Sequence, residues 1–245
     1  MRVSTTTISA ALLVGMASTA FAADQRYRDS AGVSSYAERI AADDAGNYLV
    51  EKVRLDTKDP GLQQHNRGAK DQAKSDLNQI IAFYNAAIKH DPKDDDAYFH
   101  RGLANFYAGA LPQALSDLAQ ASKLDPQYPY YPLWIDIIDK RGNQASRLPQ
   151  AISHIDMSKW PAPVVRLFLG QMTPTDLLAA ADDPDADTKK GQVCEANFYI
   201  GELALQQGGR EEAARLFRLA ATDCPHGFVE GPSARSEIEA LGRNQ

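Results

Sequence analysis

Two stretches of the chain share one alternation of small, large and polar positions: DDAYFHRGLANFYAGALPQALSDLAQASKLDP from Asp95 and CEANFYIGELALQQGGREEAARLFRLAATDCP from Cys194. Each is 32 residues long and ends in proline. In the first, Tyr98, Phe106, Leu118 and Leu124 belong to apolar sets that recur three or four apart. In the second, Phe198, Ile200, Leu203 and Phe217 do the same. That spacing gives each helix one packed face. Gly102, Ala114 and Ala121, matched by Gly201, Ala213 and Ala220, are small where two helices would approach closely, and Gly109 and Gly208 supply the turn between them. Pro126 and Pro225 stop the second helix. The pattern therefore predicts two copies of one antiparallel helix hairpin.

Ile80, Tyr84, Ala87 and Pro92 fall in the same register one unit earlier, so a third copy is expected over about 61–94. Its second helix, 75–89, is well patterned, and its first is polar and rich in glutamine. Between the clear copies, 129–193 reads as degenerate hairpins. Trp134, Ile137 and Ile138 share a stripe that Gly142 ends, and a second helix starts near Pro149. A short apolar helix follows Pro163, and another is capped by Thr173 with Pro174 at its first position and Asp176 in its first turn. In the tail, 228–245, Ala234, Ile238 and Leu241 lie on one face of a final helix ending at Gly242, whose polar far side suits the end of a stack. Residues 23–60 form an arm in which Val33, Tyr36, Ala37 and Ile40 have helical spacing and YLVEKVRL, 48–55, fits a helix or a strand.

The unit resembles the tetratricopeptide repeat, whose period is about 34 residues. The resemblance implies an all-α fold: a short superhelix of antiparallel hairpins with units over 61–128 and 194–227 and a capping helix at the C-terminus. Arg101, Asn105 and Asn197 depart from it, standing where the repeat usually has apolar or aromatic residues.

The N-terminus changes the picture of compartment. One arginine, an apolar run from about Ile8 to Met16, and Ala20-Phe21-Ala22 read as a secretory signal over 1–22. The apolar run is shorter than the roughly 20 residues that span a bilayer, and Ala23 stands where a lipoprotein would have cysteine. The expected protein is exported to the periplasm without a lipid and is not inserted in the membrane. Loss of Arg2 takes the net charge from −6 to −7. The charges are scattered, which argues against nucleic acid as a partner.

Cys194 and Cys224 are the only cysteines. In the repeat register, Cys194 opens one helix and Cys224 lies just past the end of its antiparallel partner, so the hairpin brings them together. In an oxidising compartment a disulfide is expected. The competing reading is a thiol redox or other enzymatic role for the same pair. A redox centre more often places its thiols two residues apart near a helix start.

Other chemistry is sparse. Asp183, Asp185 and Asp187 alternate like the opening ligands of a calcium loop, but Thr188 replaces its glycine and Cys194 its bidentate glutamate, so a solvated loop is expected instead. The acidic run DPKDDDA, 91–97, lies where one unit ends and the next helix begins, with Asp95 or Asp96 as the expected cap. The five histidines, at 65, 90, 100, 154 and 226, show no metal-ligand spacing. No catalytic residue, metal or cofactor is expected.

The remaining candidate is the concave groove lined by the first helix of each hairpin. The ligand-facing places of the repeat fall on Asp96, Phe99, Leu103, Phe106 and Tyr107, and on Glu195, Phe198, Glu202, Leu205 and Gln206. An apolar patch bordered by carboxylates would suit a peptide or protein segment with apolar anchors and some basic residues. Equally, Phe99, Phe106 and Phe198 would pack between repeats. The runs KWPAPVVRLFLGQMTPTDLLAAA, CEANFYIGELALQQG and CPHGFVE are similar to the C-terminal half of NlpI-type tetratricopeptide proteins of the bacterial envelope. That resemblance implies a non-catalytic periplasmic adaptor, often a homodimer, that brings proteases and peptidoglycan-remodelling enzymes to their clients.

Overall fold

A computed structural model describes residues 66–242, and their side chains from Leu77 onward. The expected signal over 1–22 and the arm over 23–60 lie outside the described residues. Among the described residues every regular element is helical. The order is α1 (Asn66–His90), α2 (Asp95–Tyr107), α3 (Leu111–Leu124), α4 (Tyr130–Arg141), α5 (Leu148–Ala151), α6 (Ala162–Phe168), α7 (Pro174–Ala180), α8 (Ala186–Gln206), α9 (Arg210–Asp223) and α10 (Glu230–Gly242).

The two matching stretches form the same local structure. α2 packs on α3 and α8 on α9, and each pair is joined through a glycine with positive φ, Gly109 at 80° and Gly208 at 84°. Where the first helix of each pair has glycine, a large side chain of the second fills the space. A Cβ on Gly102 would stand 3.1 Å from Leu118 Cγ, and one on Gly201 would stand 2.8 Å from Phe217 Cε1. Leu118 and Phe217 are fully buried, and burial of each stabilises the pair by about 1.5–3 kcal/mol.

The elements differ from the sequence pattern in several places. α1 runs unbroken through Ser75, where the third copy was expected to have passed from one helix to another, and beyond Gly68 the segment AKDQAKSDLNQ offers good helix formers and no turn residue. The cap of α2 is Asp94, whose side chain accepts from Ala97 N at 3.0 Å, while Asp95 and Asp96 occupy the first turn and complement the dipole. The helix expected at Pro149 is one turn, α5, continued by a 3-10 turn to His154. α7 has the full capping box of Thr173 and Asp176.

α8 begins at Ala186, capped by Asp185, which accepts from Thr188 N at 2.8 Å. The aspartates of 183–187 thus lead into a helix and cap it, and Cys194 lies in the third turn of α8 instead of opening it. The sulfurs of Cys194 and Cys224 are at bonding distance, with Cα atoms 4.9 Å apart, and Cys224 is the residue just past α9. α10 packs on α9, with Ala234 and Leu241 buried, and closes the described chain.

Candidate functional site

The site is organised by α8, where Glu195 and Glu202 stand seven residues apart and so project from one face two turns from each other. That face does not meet solvent. α4 and α10 lie along it, and aromatic contacts seal the seam: Trp134 packs at a tilt on Phe198 at 5.5 Å and Tyr130 approaches Tyr199 at 6.5 Å.

At the upper end, Glu195 accepts from Tyr130 OH at 2.6 Å and from Trp160 Nε1 at 3.0 Å. Glu230, the first residue of α10, accepts from Tyr199 OH at 3.0 Å. Burial first, and then the charge of Glu230, hold the Glu195 carboxyl well above the usual range; burial raises Glu230 as well. With burial raising both groups and the Glu230 charge opposing ionisation of Glu195, the pair favours holding a proton.

At the lower end the answer is a guanidinium. Arg141 Nη2 donates to Glu202 Oε2 at 2.8 Å and to Oε1 at 3.1 Å, and stands 3.0 Å from Glu237 Oε2. Its ring contact is with Phe106 of α2, 5.4 Å away. Burial and the Glu237 charge raise Glu202, and Arg141 opposes them. The two acids in turn hold the Arg141 guanidinium above its already high ordinary value against the opposite pull of burial. Tyr107 at the end of α2 reaches Ser233 of α10, and burial is the main cause of its raised phenol.

A third polar cluster explains two of the departures from the repeat pattern. Arg101 donates from Nε to Asp117 Oδ2 at 2.9 Å and from Nη2 to Oδ1 at 2.5 Å, and Asn105 Nδ2 donates to Asp117 Oδ2 at 2.9 Å. Arg101 also donates to Asn85 Oδ1 of α1 at 2.7 Å. These side chains therefore join α1, α2 and α3 by hydrogen bonds where the repeat would use apolar contact.

The expected ligand-facing residues divide accordingly. Phe99 packs on Tyr131 at 5.3 Å, Phe106 on Trp134 at 6.2 Å, and Phe198 between Trp134 and Phe217 at 5.5 and 5.8 Å. These three, with Leu103, Glu195 and Glu202, are buried. Of the two readings of the aromatics, packing between neighbouring helices describes their positions, because rings of α4 meet all three and Phe217 of α9 meets Phe198. Asp96 stays half-buried in the first turn of α2, and Tyr107 is half-buried at its end. Leu205 and Gln206 alone among the set line open space.

That space is a cleft at the C-terminal ends of α4, α8 and α10. Its larger lobe, about 660 Å³, is walled by Lys140, Arg141, Leu205, Gln206, Arg210 and Glu237, among others. A smaller lobe of about 170 Å³ shares Arg210 and Leu241 with it and adds Glu211, Ala214 and Arg218. Within the wall, both amide atoms of Gln206 and Nε of Arg141 are buried without a hydrogen-bond partner among the described residues. Sequence reasoning missed Lys140 and Arg141 because 130–141 had no repeat register from which to place its last turn beside α8, and it missed Arg210 and Arg218 because the register puts the ligand-facing places on the first helix of each hairpin and these two stand on the second. The usable signal was Glu202, a carboxylate at the helical spacing of Phe198 and Leu205.

Among the described residues no group of three or more histidine, cysteine or acidic side chains is spaced to hold a metal ion, and no helix is long and apolar enough to cross a membrane. No protein-family model matches this chain.

Proposed function

We propose that the protein is an exported, non-catalytic scaffold of the tetratricopeptide type that binds segments of other envelope proteins. The observation that carries the reading is the repeated hairpin. Two stretches 99 residues apart in register place glycine, turn and filling side chain alike, with Gly102 under Leu118 and Gly201 under Phe217. Repeated hairpins that share one packing rule build extended surfaces, and such surfaces serve recognition more often than chemistry. α10 serves as the cap. The paired cysteines support export, since disulfides persist in oxidising compartments. They also weigh against the thiol redox alternative, because Cys194 is fully buried and bonded.

Reciprocal affinity capture from envelope extract tests the proposal. The chain from Ala23 onward, used as bait, should recover a particular protease or peptidoglycan-remodelling enzyme, and that enzyme as bait should recover the chain. Failure in both directions would overturn the scaffold reading.

A further inference from the structure

The open cleft has the opposite character from the surface the sequence led one to expect. The carboxylates Glu195 and Glu202, which would have attracted basic segments, are buried beneath α4 and α10. Lys140, Arg141, Arg210 and Arg218 line the two lobes against Glu211 and Glu237, and Glu237 is already engaged by Arg141. This happens on a chain whose net charge is −6. Arg210 and Arg218 are exposed. Arg210 donates to the Leu241 carbonyl at 3.1 Å, which leaves the rest of its fork available. Lys140 stands 3.4 Å from Asp136 with its ammonium partly exposed. Lys140 and Arg141 also offset the carbonyl end of α4, so their charges serve the helix as well as the cleft.

Between these cations the walls are apolar. Leu205, Ala240 and Leu241 face the larger lobe, and Ala214 and Leu241 the smaller. The larger lobe lies within the roughly 300–1,000 Å³ of small binding sites. Gln206 and Arg141 Nε bring hydrogen-bonding capacity that no partner among the described residues uses, and leaving such groups unmade costs about 1–3 kcal/mol each. A peptide backbone offers both a donor and an acceptor to a turned Gln206 amide. The requirements converge on a segment with acidic side chains spaced around an aliphatic one.

We propose that the cleft between the ends of α4, α8, α9 and α10 is the docking site for an acidic peptide segment of a partner protein, with an aliphatic anchor between the lobes. This rests on the scaffold reading and names the chemistry of the partner. Carboxylates meet Arg210 and Arg218 at the rim, where charge complementarity sets partner choice and encounter rate. The aliphatic side chain enters beside Leu241.

Fluorescence anisotropy with two labelled peptides provides the test, one alternating glutamate with leucine and its counterpart carrying lysine for glutamate. The acidic peptide should bind the intact chain, and the basic one should bind at least about tenfold more weakly. Arg218→Glu, alone and with Arg210→Gln, should weaken the acidic peptide about tenfold or more. Arg215→Glu changes net charge equally on the same helix but outside both lobes, and should leave binding within about twofold. These positions are exposed, and matched thermal melts establish that the variants are folded. Preference for the basic peptide, no binding of the acidic one, or an equal loss in Arg215→Glu would each overturn the proposal. A partner recovered by reciprocal capture that still binds the Arg210→Gln, Arg218→Glu variant would sink the cleft while leaving the scaffold intact.

Discussion

Arg101 of α2 and Asp117 of α3 are joined by two parallel hydrogen bonds, at 2.9 and 2.5 Å, across a helix pair whose core is apolar. Asp117 is the more deeply buried partner and also accepts from Asn105. Removing it takes the acceptor from three donor atoms on two residues, whereas removing Arg101 leaves Asp117 a carboxylate that Asn105 still serves. Asp117→Ala should therefore destabilise the protein by about 2–4 kcal/mol, and more than Arg101→Met does. Urea unfolding monitored by circular dichroism would measure both, and equal or smaller losses for Asp117→Ala would contradict the asymmetry.

The Cys194–Cys224 bond closes a loop of 30 residues between the third turn of α8 and the end of α9. Constraining the unfolded chain by that length contributes about 3–4 kcal/mol. Cys194→Ser should lower the melting temperature, and the unreduced native protein should titrate no free thiol. Because the cleft lies at the opposite end of α8, the same variant should keep its affinity for the acidic peptide when assayed below its melting point.

Burial and the facing Glu230 raise Glu195 to about 8 in the folded protein. Unfolded, it returns to the ordinary value near 4.3. The native state thus binds more protons than the unfolded state in between, so the stability from this group is fully present below the unfolded value and is lost as pH rises through about 8. Glu230 and Glu202, raised in the same sense, add to the slope. Urea midpoints should fall between mildly acidic and mildly alkaline buffer, and Glu195→Gln, which keeps the Tyr130 contact without the charge, should flatten the decline. A midpoint that rises over this window would refute the assignment of protons to these groups.

Gly201 and Gly102 hold equivalent places but unequal space. The methyl of Gly201→Ala would meet the Phe217 ring at 2.8 Å, and that of Gly102→Ala would meet the Leu118 branch at 3.1 Å. The flat ring between Phe198 and Gly201 has less room to yield than the leucine. We expect Gly201→Ala to cost about 1–3 kcal/mol and Gly102→Ala less, both read from thermal melts.

How far the sequence reached depends on whether a position answered to its neighbours along the chain or across it. Local signals were legible: the turn glycines Gly109 and Gly208, the Thr173–Asp176 cap, the end of α10 at Gly242, and the pairing of Cys194 with Cys224 all appear where spacing put them. The helix around Cys194 started eight residues early because Asp185 is a better cap than any residue nearer the repeat boundary. The groove could not be read. Whether Phe106 and Glu202 face solvent or interior depends on Arg141, which is 35 residues from one and 61 from the other, and neither the repeat register nor hydrophobic period carries that information.

Arg141 bears on how the molecule comes apart. A row of hairpins in which each touches only the next unfolds like a zipper, end first, with partly melted states populated along the way. Here one guanidinium on α4 meets Phe106 of α2, Glu202 of α8 and Glu237 of α10 at once, so the first and last of these helices share a single fastening point. Fraying α10 would take Glu237 from that guanidinium, leaving Glu202 alone to offset it, and so loosen a contact with a helix more than 100 residues away in sequence. Cooperativity is thereby imposed across the row, and the final helix behaves less as a detachable lid than as the keystone that commits the helices from α2 to α10 to melt together.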